Sequence, residues 1–159
     1  MTTELSSLYQ ETILDHNKRP RNFHKLAAAS HHADGYNPLC GDKVTVYLEI
    51  EGDVLKDISF EGSGCAISKA SASMMTEALK GRSLRQADEL FHVFHELVTG
   101  KEGGEPAGPA ALGKLVVFSG VREFPVRVKC ATLAWHTMQA ALARGAADQA
   151  EPVATTEEA

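Results

Sequence analysis

Residues 44–60 carry the pattern that most constrains the fold, because apolar and polar side chains alternate there on both sides of a single turn. Strict alternation of this kind is typical of a half-buried strand. The apolar positions before the turn are Val44, Val46, Leu48 and Ile50, and those after it are Val54, Ile58 and Phe60. With the turn at Glu51-Gly52-Asp53, the pattern predicts an antiparallel hairpin. A third strand is expected within residues 27–36.

Helical periodicity surrounds this hairpin on both sides. One helix is predicted before Pro20, on the spacing of Leu5, Leu8, Tyr9 and Ile13. A second follows the hairpin and is closed by Gly81, on Ile67, Ala70, Met74 and Ala78. Ser83 and Gln86 form a capping box that begins a third, with an apolar face of Ala87, Leu90, Phe91, Phe94, Leu97 and Val98.

Two further helices are predicted after a Gly/Pro-rich loop, a short one over 110–118 and a last one over about 127–144. The fold class is therefore α+β, a small antiparallel sheet of about three strands packed against several α-helices. Residues 1–145 are predicted to form one domain. Residues 146–159 are polar and acidic and are expected to be a disordered tail.

Composition excludes several classes of function. The net charge of -5 argues against broad binding to nucleic acid or to an anionic membrane surface. No apolar run approaches the ~18 residues that a membrane span requires. The N-terminal residues carry acids and no apolar signal core, so we expect a cytoplasmic protein. Three cysteines in such a compartment are expected to be inert and buried, reactive, or bound to metal.

The cysteines stand beside glycine or charge, at turns and at helix starts. Cys40 precedes the first strand in NPLCGD, Cys65 follows the second in GSGC, and Cys130 begins the last helix. Cys40 and Asp42 can share one face, and Gly41 allows the backbone between them to bend. Helix N-termini favour the thiolate of Cys65 and of Cys130.

Three sulfurs and one carboxylate make the four-ligand set that tetrahedral zinc prefers. From spacing alone, inert buried thiols stay an equally good interpretation, because the sequence has no close CxxC pair. The histidines are weaker candidates. His92 and His95 are spaced so that they do not face one ion well, and His136 follows Cys130 by about a turn and a half of helix.

Four segments together resemble the U-type iron–sulfur assembly proteins, and among them the zinc-dependent sulfurtransferases of the SUF system. The segments are LYQETILDHNKRPRN, NPLCGD, FEGSGCAISKASASMM and VRVKCATLAWHTM, within residues 5–145. The resemblance implies an IscU-like fold and Zn²⁺ bound by Cys40, Asp42, Cys65 and Cys130. It also implies a SufS-type cysteine desulfurase as partner and a downstream iron–sulfur assembly scaffold.

In this family Cys40 would receive the persulfide sulfur, after a histidine of the desulfurase replaces it on zinc. Scaffold-type members carry histidine immediately before the third cysteine, whereas this chain has Lys129. The segment between Cys65 and Cys130 is also longer than in scaffold-type members, which likewise favours sulfur transfer. Two alternatives stay open: a scaffold holding a [2Fe–2S] cluster on the same residues, and a purely structural zinc site.

Overall fold

The computed structural model describes residues 3–100, 112–144 and 153–154. Three antiparallel strands form its sheet: β1 (His31–Asn37), β2 (Asp42–Glu51) and β3 (Val54–Ser63). The hairpin of β2 and β3 and the third strand are as predicted. A two-residue strand, β4 (Val153–Ala154), pairs in parallel with β1 and gives the order β3-β2-β1-β4. The other residues of the predicted tail lie outside the described part, and the domain boundary stays a prediction.

One detail of the hairpin was predicted wrongly, the buried face at the start of β3. Val54 is 43% exposed, whereas Leu55 is fully buried. The ladder shifts register after Glu49, so that Ile50 pairs with Leu55 and Lys56 is passed over. An extra residue in one strand reverses the parity of the side chains beyond it. The apolar face therefore continues through Leu55 instead of Val54.

Two helices pack directly on the sheet: α2 (Ala66–Leu79) lies against β3, and α4 (Pro125–Arg144) lies against β1 and β2. The helix α1 (Thr3–Lys18) packs on α2, and α3 (Leu84–Thr99) packs on α4. The capping box that begins α3 is present. Gln86 donates its backbone N–H to Ser83 Oγ, Ser83 donates its own to Gln86 Oε1, and both distances are 3.0 Å.

The short helix predicted over 110–118 is a 3₁₀ helix at Gly113–Glu123. Residues 110 and 111 lie outside the described part. Its buried side chains include Leu115, Val117, Phe118 and Val121, so the segment packs on the core.

The core is centred on Trp135 of α4, which is fully buried and stacks on Phe94 of α3 with ring centres 4.5 Å apart. Its indole N–H donates to Ser71 Oγ at 3.2 Å, and that hydroxyl donates to the Ala131 carbonyl at 2.6 Å. These contacts hold α2, α3 and α4 in one arrangement. Within the described residues, no helix is long and apolar enough to cross a membrane.

Candidate metal centre

All four residues predicted as ligands meet at one end of the sheet. Cys40 lies in the turn between β1 and β2, Asp42 begins β2, Cys65 is the N-cap of α2, and Cys130 lies in the second turn of α4. The ligand atoms of Cys40, Asp42 and Cys130 lie within 4.8 Å of one another. The sulfurs of Cys40 and Cys130 are 3.6 Å apart. Residues separated by up to 90 positions in the chain thus form one cluster.

Cys65 joins this cluster through Asp42. Its backbone N–H donates to Asp42 Oδ1 at 2.9 Å, and its Sγ lies 3.8 Å from Asp42 Oδ2. The same Sγ accepts the backbone N–H of Ser68 at 3.4 Å, so the thiol caps α2. The carboxylate therefore connects the start of β2 to the start of α2.

Two glycines shape the backbone around the centre. Gly41 has φ +75°, in the left-handed region that glycine enters without strain, and this lets the chain turn between Cys40 and Asp42. At Gly64, an added Cβ would lie 2.5 Å from Asp42 Oδ1. Any larger residue at Gly64 would therefore push the carboxylate out of place.

Exposure differs sharply among the four side chains. Cys40 is exposed and Cys65 is half-buried, whereas Cys130 and Asp42 are 0% and 1% exposed. A buried carboxylate beside a buried thiol needs a cation, a metal ion or hydrogen-bond donors around it, because burying an unpaired charge costs free energy. The cluster is thus open to solvent at Cys40, partly accessible at Cys65, and closed at Asp42 and Cys130.

The local electrostatics favour a thiolate on Cys65. The hydrogen bond from the Cys130 thiol, helped by the Ser68 N–H and opposed by burial, lowers the pKa of Cys65 to about 6. That same hydrogen bond to the Cys65 thiolate, together with burial, raises the pKa of Cys130. The pKa shifts of the two thiols therefore run in opposite directions, downward for Cys65 and upward for Cys130.

Arg127 of α4 is a cation close to this cluster. Its hydrogen bond to Cys130 and the nearby charge of Cys65 raise the pKa of the guanidinium. Lys129 is half-buried on the same helix, one residue before Cys130.

Sequence reasoning missed two features of the site. Tyr9 of α1 is half-buried close to the charges of Cys65 and Cys130, and burial raises the pKa of its hydroxyl. Three large apolar side chains next to the site residues are exposed, Leu39 at 64%, Val126 at 57% and Phe124 at 54%. Their position beside Cys40 or at the start of α4 was visible in the sequence, but their exposure was not.

The donor set fits a zinc ion. Thiolates and a carboxylate are ligands that zinc accepts, and three of the four are held by secondary structure. The three convergent cysteines and the buried aspartate of this small α+β domain thus form a candidate metal centre, which is open to solvent at Cys40.

Comparisons with known proteins agree with this class. The family model of the NifU-like N-terminal domain matches residues 8–131. Over 140 residues the chain is 41% identical to the zinc-dependent sulfurtransferase SufU of Bacillus subtilis, covering 88% of this chain and 92% of that protein. Over 144 residues it is 40% identical to the iron–sulfur cluster assembly scaffold protein IscU of Streptococcus pyogenes, covering 91% and 88%.

A solved structure is similar as well. The crystal structure of a SufU described as an iron–sulfur cluster assembly scaffold protein for the SUF system, from Fervidobacterium islandicum AW-1, superposes with a TM-score of 0.77. It is 38% identical and covers 86% of this chain and 97% of that one. The chain belongs to the NifU-like N-terminal domain family. The predicted α+β, IscU-like fold class is confirmed.

Proposed function

We propose that this chain is a zinc-dependent sulfurtransferase that takes persulfide sulfur from a SufS-type cysteine desulfurase onto Cys40, for iron–sulfur cluster assembly. The observation that carries the proposal is one exposed thiol, Cys40, placed 3.6 Å from the buried Cys130. An acceptor thiol must be reached by another protein's persulfide. The remaining donors are anchored and need not move.

Cys40, Asp42, Cys65 and Cys130 would hold the zinc. When bound, zinc keeps thiols deprotonated at neutral pH and brings no redox chemistry of its own. The buried Asp42 supports this assignment, since its second oxygen faces the Cys65 sulfur while the first holds the Cys65 N–H. Arg127 offsets part of the negative charge of three thiolates and a carboxylate.

The transfer itself is an exchange between sulfurs. The Cys40 thiolate attacks the outer sulfur of the desulfurase persulfide, so that a new S–S bond forms on Cys40 as the enzyme's S–S bond breaks. The electron pair of the broken bond leaves on the enzyme's cysteine as a thiolate. Sulfur and its proton are conserved, and neither oxidant nor reductant is consumed.

Cys40 suits the acceptor role better than the other cysteines. It lies in a turn, beside the left-handed Gly41 and the exposed Leu39. Cys65 caps a helix, and Cys130 is fully buried inside one. Attack by either would require the start of a helix to move.

The second candidate is a scaffold that assembles a [2Fe–2S] cluster on the same residues, since thiolates are the usual ligands of such clusters. It is favoured by the 40% identity to the Streptococcus pyogenes scaffold protein. Lys129 argues against it, because the resemblance places histidine before the third cysteine in scaffold-type members.

The proposed partners are the desulfurase and a downstream iron–sulfur assembly scaffold. The exposed apolar side chains Leu39 and Val126 lie near the acceptor thiol, where the desulfurase would dock. Three free thiols suit a reducing compartment, which supports the cytoplasm as the place of the reaction.

The proposal is tested by mass spectrometry after the zinc-loaded protein is mixed with a desulfurase and cysteine. The expected result is one added sulfur on the peptide containing Cys40, absent in Cys40→Ser. The same variant should no longer stimulate desulfurase turnover. Sulfur only on Cys65 or Cys130 would contradict the acceptor assignment. Zinc-loaded protein that never accepts sulfur would mark the metal as purely structural. An iron–sulfur chromophore with little zinc would favour the scaffold.

A further inference from the structure

Asn37 lies at the base of the turn that carries Cys40, which residues 38–41 form between β1 and β2. It is the last residue of β1, and its side chain is buried, with 0% of the residue exposed. In the ladder it pairs directly with Asp42, the first residue of β2. Residues paired in this way share one face of a sheet, with Cβ atoms about 4.5–5.5 Å apart. The turn therefore begins and ends at two buried polar side chains.

Asn37 accepts two hydrogen bonds, one from each side of Cys40. Its Oδ1 accepts the backbone N–H of Leu39 at 3.1 Å. Its backbone carbonyl accepts the N–H of Gly41 at 2.8 Å. The first bond is an Asx turn, in which the side chain does what a backbone carbonyl does in an ordinary turn. The backbone before and after Cys40 is thus tied to a single residue.

The turn has little packing of its own to hold it. All four of its residues, 38–41, are exposed. Pro38 has no N–H to donate and restricts Asn37 to an extended backbone. Gly41 has φ +75° and no side chain that could pack. The position of Cys40 consequently depends on the buried acceptor at the base of the turn.

The other end of the Asn37 amide is an unusual feature. Its Nδ2 is buried and has no hydrogen-bond partner among the residues that the structure describes. Burying an unpaired donor is unfavourable, so such a group needs an explanation. A role for the same amide's Oδ1 supplies one, because serine could provide an oxygen here only on a shorter side chain.

We propose that Asn37 is the positioning residue of Cys40, which holds the Cys40 sulfur within the ligand cluster. With the turn held in this way, the sulfurs of Cys40 and Cys130 lie 3.6 Å apart. A ligand held close in advance loses less entropy on binding. The inference rests on the proposed function for the role of Cys40, but its test does not require sulfur transfer.

The test is alkylation of the zinc-loaded protein by iodoacetamide, with the rate at each cysteine followed by mass spectrometry. Asn37→Ala removes the Oδ1 acceptor, whereas Asn37→Ser is nearly the same size as alanine and restores an oxygen. One net hydrogen bond changes an equilibrium by about 2–10-fold. We expect Cys40 to react faster by about that factor in Asn37→Ala and at an intermediate rate in Asn37→Ser. Competition with a chelator should show zinc affinity falling in the same order.

Two controls separate positioning from a general loosening of the fold. Cys65 and Cys130 are internal references in every sample, since a loosened fold would expose all three thiols. Thr45→Ala is the matched variant, because it removes the 2.6 Å hydrogen bond from Thr45 Oγ1 to Asp34 Oδ1, between the same two strands but outside the turn. It should leave the rate at Cys40 unchanged. Thermal unfolding of each variant establishes that it folds.

Three results would overturn the proposal: equal rates at Cys40 in wild type and Asn37→Ala, equal acceleration at all three cysteines, or Asn37→Ser reacting as fast as Asn37→Ala. Failure of the proposed function looks different. The expected order of rates, in a wild-type protein that takes no sulfur from a desulfurase, would support the positioning role and contradict the sulfurtransferase.

Discussion

The Asp42 carboxylate holds the Cys65 backbone at 2.9 Å with one oxygen and faces the Cys65 sulfur at 3.8 Å with the other. One buried side chain thereby fixes both the start of α2 and a thiol of the cluster. The position of Cys65 and the charge of the centre consequently depend on the same residue.

Asp42→Asn separates these two roles. The amide keeps an oxygen for the Cys65 N–H but removes the negative charge and a zinc-binding oxygen, so we predict zinc affinity reduced by about tenfold or more with a small loss of stability. Asp42→Ala also leaves the Cys65 backbone N–H without its acceptor, which should lower the free energy of unfolding by about 1–3 kcal/mol more. Competition with a chelator and denaturant unfolding measure the two effects. Equal stability of both variants would contradict the structural role.

Gly64→Ala should damage the centre through contact alone. Its Cβ would lie 2.5 Å from Asp42 Oδ1 and displace the carboxylate, so zinc affinity should fall. Gly52→Ala is the matched control, since Gly52 has φ +61° and no atom within 4 Å of an added Cβ. It should lower stability by about 1 kcal/mol and leave zinc affinity unchanged. Zinc affinity that falls equally in both variants would contradict the contact.

Removal of zinc should lower the melting temperature sharply. In small peptides, structural zinc sites bind the ion with an apparent free energy of roughly 10–16 kcal/mol, and this binding stabilises the fold. A whole domain has about 5–15 kcal/mol of stability. We expect a fall of about 10 °C or more, since each kcal/mol shifts melting by several degrees. Calorimetry before and after chelation, followed by zinc re-addition as the control, measures it. Unchanged melting after verified removal would show that the metal is not coupled to folding.

His16 should make the fold sensitive to mild acid. It is 4% exposed, its Nδ1 lies 2.7 Å from Ser73 Oγ, and Ser73 Oγ also accepts the Arg21 N–H. Burial, with a smaller contribution from Arg21, lowers the pKa of His16 below its usual 6.5, although Glu77 opposes the shift.

The sign of this effect follows from proton linkage. Above pH 6.5 the histidine is neutral in both states and its contribution to stability is complete. As the pH falls below 6.5, the unfolded chain takes up the proton first, so stability declines by up to about 1.4 kcal/mol per pH unit until the folded pKa is reached. Denaturant unfolding of zinc-loaded protein between pH 5 and 8 measures it, with His16→Gln as the control. An identical slope in that variant would rule out His16 as the cause.

Much of this fold was predictable because the decisive signals are local. The capping box of Ser83 and Gln86 needs only four consecutive residues, and the hairpin needs only alternation about one turn. The four site residues were also found from their neighbours in sequence, and they do converge. Their role as ligands stays a prediction.

What escaped prediction depends on contacts between distant segments. The extra residue at Lys56 in β3 is visible only in the pairing with β2. The same is true of the contact between His95 of α3 and His136 of α4, whose ring centres lie 5.6 Å apart. Periodicity describes one helix and cannot tell which face of a second helix it will meet.

Trp135, the only tryptophan of the chain, is an intrinsic fluorescent probe of the core. Its ring lies nearly parallel to Phe94, at 14°, and its N–H is bound to Ser71. Intrinsic fluorescence excited at the red edge of absorption therefore comes from a single, water-shielded position, five residues beyond Cys130 on the same helix. A change in its emission wavelength during metal loading would report movement of α4 without any attached dye.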